Sequence, residues 1–200
     1  MRETADVVVV GAGIIGASIA YNLVRRGAGK VVALDKGAGP AEGSTGASSS
    51  IVRCRYTHPE VVRLALDGQH AYREWADFTG LDRPRSSLHQ VGVLWMMGES
   101  PDQVEVVRDR LAGQGVAVSV LGPEQVAGRF PALSPCSEPF DLTGDIPHTC
   151  RSGEAFLLEE KGGYVEPTGA NQDVIEAARR DGADVRFGAQ VCGVRKAGGR

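Results

Sequence analysis

The apolar positions of the first 35 residues fall into blocks with different spacing. Val7-Val8-Val9-Val10 is an unbroken β-branched run, which predicts a fully buried strand. From Ile14 onward the apolar spacing suits a helix ending near Gly27, a glycine placed as at a helix C-terminus. Val31-Val32-Ala33-Leu34 is a second short apolar run, ending at Asp35. Taken without its interior, the stretch Val7 to Val24 holds 18 uncharged residues, enough for a membrane span. Gly11, Gly13, Gly16, Ser18, Tyr21 and Asn22 interrupt it, and the period changes midway, so a strand, a glycine turn and a helix are predicted instead. Acidic Glu3 and Asp6, with no small-residue cleavage site after the apolar run, fit a signal peptide poorly.

Further along, Val61, Leu64, Ala65, Tyr72, Trp75 and Phe78 recur at helical spacing, predicting one amphipathic helix over His58–Thr79 that packs on the first sheet. Val91–Met97 predicts a strand, Pro101–Gln114 a helix, Val116–Leu121 a strand, and Pro123–Phe130 a short helix with proline near its start. Residues 131–155 are rich in proline, serine and acid and read as a long loop. Tyr164-Val165-Glu166-Pro167 returns the chain to the first sheet. Thr168 is the expected cap of a helix to about Asp181, ended by Gly182; Ala183–Phe187 and Gln190–Arg195 are the last expected strands. His58 and His70 read as helix-face residues, and His148 is a weak catalytic candidate in the loop. No internal repeat is present.

Composition narrows the class. Of 200 residues, 42% are hydrophobic and 24% charged, as in soluble globular chains and unlike disordered ones. Glycine is in excess, at 27 residues, without the Gly-X-Y period of collagen. The net charge of −3 and the lack of a basic block give no nucleic-acid footprint. Cys54, Cys136, Cys150 and Cys192 are scattered with no CxxC pair, so neither a zinc site nor a small disulfide framework is expected. Isolated buried thiols in a reducing, cytoplasmic setting are expected. Neither Asn22 nor Asn171 stands in an N-x-[ST] acceptor.

The glycines then carry chemistry. Gly11-Ala12-Gly13-Ile14-Ile15-Gly16 is a complete G-x-G-x-x-G between a predicted strand and helix. In that string the first glycine permits the tight turn, the second lets backbone approach a pyrophosphate, and the third lets the helix pack on the strand. Asp35 lies 19 residues beyond Gly16, where an acid accepts from a ribose hydroxyl. An acid there favours the free 2′-hydroxyl of NAD or of the adenosine of FAD over NADP. Lys36 follows at the same end; its plainer reading is a solvated turn charge. The plainer reading of the whole motif is a βαβ turn without nucleotide. Residues 37–50 hold four glycines and four serines and no strong hydrophobe. They suit either a flexible linker or a backbone that follows an extended cofactor.

Asp6–Gly16, Val31–Lys36, the Gly43-Ser44-Thr45-Gly46…Ile51-Val52-Arg53…Tyr56 run, Val91–Leu94 and Gly162–Pro167 together resemble the D-amino-acid oxidase-like FAD oxidoreductases. The resemblance is to the N-terminal half of the sarcosine oxidase and dimethylglycine dehydrogenase branch. It implies an α/β fold: a Rossmann-like FAD-binding domain with an inserted, incomplete α+β substrate domain. The expected boundaries are 1–85, 86–160 and 161–200. It implies that Gly11, Gly13 and Gly16 hold the FAD pyrophosphate, and Asp35, where most relatives have glutamate, the ribose. Ser44, Thr45 and Ser48 would line the ribityl and isoalloxazine side, and Val191 would face the adenine. Lys36 counts with the same cofactor set. Arg53 would grip a substrate carboxylate, its other reading being a loop tether; Ser50 stands where some relatives carry a second arginine. Tyr56 either borders the pocket or packs. The implied activity is oxidation of the C–N bond of a small amine such as sarcosine, dimethylglycine or glycine. The rival is a non-catalytic dinucleotide-binding subunit. Because such enzymes are much longer, the chain is expected to be an N-terminal piece or to be completed by a second polypeptide.

Overall fold

In the computed structural model, residues 3–136, 138–139, 141–149 and 153–196 are described; Cys150 and the final Gly198-Gly199-Arg200 lie outside them. In chain order the elements are β1 (Val7–Val10), α1 (Ile14–Arg25), β2 (Val31–Leu34), β3 (Ile51–Val52), α2 (Pro59–Arg73), α3 (Trp75–Thr79) and β4 (Val93–Trp95). Then come α4 (Pro101–Ala112), β5 (Val118–Leu121), α5 (Pro123–Arg129), β6 (Phe156–Glu159), β7 (Gly163–Tyr164), α6 (Pro167–Arg180) and β8 (Asp184–Arg186). Contacts divide the chain into two units: Met1–Ser50 with Ala71–Leu88 and Val165–Arg200, and Ile51–His70 with His89–Tyr164. Among the described residues no helix is long and apolar enough to cross a membrane.

The first unit is a parallel sheet in the order β1-β2-β8, with Val7 opposite Val31 and Val32 opposite Asp184. Parallel pairing demands crossover connections, and α1 supplies the first. α1 and α6 pack together, both burying alanines: Ala17 and Ala20 in one, Ala177 and Ala178 in the other. α6 also buries two polar residues, Asn171 and Asp173, without any exposure. Asp173 accepts from the backbone N–H of Arg85 and Ser86, from the Trp75 indole at 3.0 Å and from the Arg85 guanidinium at 3.0 Å. Those donors offset the desolvation of the carboxylate and tie the irregular segment around 85 to the helix.

The second unit is an antiparallel sheet in the order β4-β6-β5, with a separate β3–β7 pair. β6 is central: Leu158 faces Leu94 on one side and Ser119 on the other. Its alternation feeds two cores, Leu157 packing with Val62, Val104 and Leu111, and Phe156 and Leu158 with Val126. Each of these three side chains is at most 1% exposed, and each contributes about 1.5–3 kcal/mol of burial. Glu159 ends the strand, 1% exposed, and accepts from the N–H of Cys54 at 2.5 Å, of Arg55 at 3.0 Å, and from the Trp95 indole at 2.8 Å.

Several expectations are corrected. β1 is not fully buried: Val8 and Val10 are 52% and 65% exposed, because the helices cover only one face of the sheet. The single helix over 58–79 breaks at Glu74, whose backbone leaves the helical region (φ −106, ψ 46). Val62 of α2 packs in the second unit's core and not on the first sheet, while Trp75 of α3 belongs to the first unit. Residues 51–70 accordingly group with 89–164. β6 arises where no strand was expected. No strand forms over 190–195, where no neighbouring strand pairs with the backbone and Val194 is 87% exposed. The cap of α6 is Glu166, whose carboxylate accepts from Thr168 N–H, and not Thr168. Of the described cysteines only Cys54 is buried; Cys136 is half-buried and Cys192 exposed.

Burial, and secondarily the Glu159 charge, push the Cys54 thiol up to about 11. The folded chain therefore keeps this proton after the unfolded chain has lost it. The stabilisation is full below the unfolded thiol's range, near ~8.5, and is lost as pH rises toward 11. We expect the melting temperature to fall between pH 9 and 11, and Cys54→Ala to lessen that fall while lowering stability at pH 8. Thiol labelling at pH 8 followed by peptide mass mapping should modify Cys192 and leave Cys54 unmodified.

Candidate functional site

The C-terminal ends of β1 and β2 open onto a cleft of about 970 Å³, built wholly from the first unit. Its floor is the glycine turn. Gly11 has φ +95, a conformation that glycine adopts freely, and donates its N–H to the Leu34 carbonyl at 2.8 Å. A Cβ on Gly16 would overlap the Gly11 carbonyl, so the helix can start against the strand only without a side chain there. A Cβ on Gly13 would come within 2.9 Å of Thr45 Oγ1.

Gly13 is the N-cap of α1, with no side-chain cap of its own and no acid in the first turn. Ile14 N–H donates to the Thr45 hydroxyl at 3.1 Å, so a residue from the loop after β2 reaches the helix end. α6 also starts at the cleft, through Pro167 and Ala170, but its N-terminus already carries the Glu166 carboxylate. Of these two helix ends, only that of α1 lacks its own anion, and its dipole and free N–H groups favour negative charge.

Asp35 closes the other side. Its Oδ2 accepts from Ala12 N–H at 2.6 Å and its Oδ1 from Gly37 N–H at 2.7 Å. Each carboxylate oxygen retains acceptor capacity beyond that bond. The Ala12 carbonyl accepts from Asn171 Nδ2 at 3.1 Å, so both polar groups of this residue are held. Asn171 Oδ1 is buried without a partner among the described residues, an arrangement costing about 1–3 kcal/mol.

Residues 37–50 are ordered by their own hydrogen bonds and do not form a flexible linker. Ala38 N–H donates to Glu42 at 2.8 Å, Gly46 N–H to the Ala41 carbonyl at 3.1 Å, and Ser48 N–H to the Thr45 carbonyl at 3.2 Å. Ala41 (φ 61) and Ser50 (φ 48) occupy the left-handed region and both line the cleft. Such strain in non-glycine residues concentrates at functional sites.

Gly11, Gly13, Gly16, Asp35, Lys36, Ser44, Thr45, Ser48 and Val191 all line this one cleft. Arg53 lies in the second unit. Its guanidinium donates to the Arg55 carbonyl at 3.0 Å and stacks over Tyr56 and Trp95, at 4.7 and 5.1 Å from the ring centroids. Among the described residues no carboxylate pairs with Arg53, whereas Arg55 pairs with Glu99 at 2.5 Å. Tyr56 packs against the second unit's core. His58 and His70 are exposed, and His148 lies 3.3 Å from the Cys136 sulfur in the loop. Tyr72, Glu42 and Asn171 belong to the site or its support without having been singled out in the sequence. The available signal for Asn171 was a polar residue three positions before Val174, on the apolar face of α6.

The family described as FAD dependent oxidoreductase (DAO) matches residues 6–200. The chain is 32% identical over 192 residues to the monomeric sarcosine oxidase of Streptomyces avermitilis, covering 94% of this chain and 44% of that protein. Among solved structures it resembles glycine oxidase from Bacillus cereus (TM-score 0.73, 19% identity, 98% of this chain and 49% of that one). It likewise resembles the L-α-glycerophosphate oxidase of Mycoplasma pneumoniae with FAD bound (TM-score 0.70, 20% identity, 96% and 46%). The chain thus spans less than half the length of each.

Gly16→Ala tests the turn. Because the Gly11 carbonyl is backbone and no rotamer change relieves the overlap, the variant should lose about 3 kcal/mol or more. Chemical denaturation should show this, whereas Gly43→Ala, where a Cβ meets nothing within 4 Å, should melt like the parent chain.

Proposed function

The chain belongs to the FAD dependent oxidoreductase (DAO) family, and on that premise we propose that it is the FAD-binding portion of an enzyme oxidising the C–N bond of a small amine or N-methyl amino acid, such as sarcosine, dimethylglycine or glycine. The observation that carries the proposal is the convergence of the nine cofactor candidates on one cleft. The fit to FAD rests on three features: a turn in which a Cβ on Gly16 would overlap backbone and one on Gly13 would crowd Thr45, an α1 N-terminus without its own anion, and a volume within the ~300–1,000 Å³ of cofactor sites.

In this reading Gly11, Gly13 and Gly16 let backbone N–H groups meet the pyrophosphate, and Thr45, already bonded to Ile14 N–H, can donate its own hydroxyl proton. Asp35 uses its remaining acceptor capacity for the ribose, with Lys36 beside it. Ser44 and Ser48 line the ribityl side, and Val191 offers backbone to the adenine. Bound FAD supplies the acceptor for the hydride equivalent that leaves the carbon beside nitrogen. Arg53 holds the substrate carboxylate; its charge is permanent, its fork suits bidentate binding, and among the described residues no carboxylate competes for it, its guanidinium lying over Tyr56 and Trp95.

The rest of the substrate site would come from further polypeptide, in the same chain or a second one. Separately, the exposed Val8 and Val10 leave a face of the first unit's sheet that further polypeptide would cover, since parallel sheets are ordinarily covered on both faces. A cytoplasmic setting completes the proposal, consistent with the free thiols of Cys54, Cys136 and Cys192 among the described residues.

Two measurements decide it. The purified protein should carry FAD, with absorption near ~450 nm; a colourless protein that binds NADH instead would overturn the cofactor assignment. Anaerobic addition of sarcosine, dimethylglycine, glycine or proline to the complete enzyme should bleach that band, and bleaching by none of them rejects the substrate class. Arg53→Met should raise KM at least ~10-fold with a smaller effect on kcat, as expected for loss of a charge-assisted contact.

A further inference from the structure

Asn171 sits on α6 with no exposure, 159 residues from the turn it touches. Its amide makes one bond among the described residues, from Nδ2 to the Ala12 carbonyl at 3.1 Å, and its Oδ1 has no partner among them. A buried amide left half-satisfied is unusual, because a hydrocarbon side chain of the same shape would avoid the orphaned oxygen. What the amide provides is direction at one peptide. Ala12 N–H is fixed by Asp35 at 2.6 Å, and the Ala12 carbonyl by Asn171. In a trans peptide the carbonyl and the following N–H point in opposite directions, and no cis peptide occurs among the described residues. With the Ala12 carbonyl drawn toward α6, the Gly13 N–H is directed away from that helix. Gly13 lines the cleft, and its N–H donates to no group among the described residues.

We propose that Asn171 is a positioning residue of the cofactor cleft: it holds the Ala12–Gly13 peptide so that the Gly13 N–H is presented, already oriented, to a phosphate oxygen. The inference rests on the FAD reading above and adds to it a residue outside the glycine motif. Preorganisation of a donor acts on affinity rather than on the fold. Asn171→Leu has two opposed effects on the apo protein, removing one orphaned oxygen and orphaning the Ala12 carbonyl. Its apo stability should therefore stay close to that of the parent, while its FAD affinity falls.

The test is fluorescence titration of the apo chain with FAD and with ADP, alongside thermal melting without ligand. Asn171→Leu should bind both about tenfold more weakly, the size of one lost hydrogen bond, with little change in the apo melt. Gln172→Leu, one position along, should bind as the parent does. If Asn171→Leu does not fold, Asn171→Ser carries the same comparison, since its hydroxyl falls short of the Ala12 carbonyl while leaving a polar site. Affinity within twofold of the parent, in whichever variant folds, overturns the inference and leaves the FAD assignment standing. Affinity loss matched by an equal collapse of the apo melt also overturns it, in favour of a purely structural role. A parent chain that takes up neither FAD nor ADP overturns the FAD assignment and this inference together.

Discussion

A buried carboxylate must be met by donors, and each unit of this protein is organised around one such demand. Asp173 takes two successive backbone N–H groups, from Arg85 and Ser86, and the Trp75 indole. Glu159 takes two successive backbone N–H groups, from Cys54 and Arg55, and the Trp95 indole. In both cases a carboxylate on a regular element fastens an irregular segment whose N–H groups would otherwise be buried unpaired. Removing either acid would orphan three donors at once, so the loops owe their paths to two side chains.

The same device recurs at the cleft on a smaller scale. Asp35 joins Ala12 N–H to Gly37 N–H, so the turn before α1 and the turn after β2 share one carboxylate. The Arg53 neighbourhood depends on Glu159 in a like manner. That acid fixes the strand exit at residues 54 and 55, and it fixes the indole of Trp95, over whose face the Arg53 and Arg55 guanidinium groups lie. Electrostatics here set geometry first and charge second.

Legibility in the sequence followed the range of the interactions. β1, the glycine turn, α1 and β2 are local, and the valine run, Gly11–Gly16 and Val31–Asp35 announced them with near-final boundaries. The loop residues Ser44, Thr45 and Ser48 were singled out through family resemblance; the structure places them on the cleft and adds the bond from Ile14 N–H to the Thr45 hydroxyl. What stayed hidden depends on distant partners. Phe156–Glu159 is too short, and too closely followed by charge, to reveal a central strand whose partners lie at Val93–Trp95 and Val118–Leu121. Asn171 and Asp173 look like the wet side of a helix until Ala12, Trp75 and Arg85 arrive to bond them. Gln190–Arg195 had the apolar pattern of a strand but no neighbour to pair with.

The sheet of the first unit has a temporal consequence. β1 and β2 can pair as soon as residue 34 has been made, but β8 joins β2 at Val32–Asp184, across the whole of the inserted second unit. At a synthesis rate of about 5–20 residues per second, the N-terminal βαβ waits roughly 8–30 seconds for its third strand. Asn171 and Asp173 arrive just before that strand. During that interval the glycine turn exists without the helix that grips it, so the Ala12 carbonyl gains its Asn171 partner only after the inserted second unit has been made.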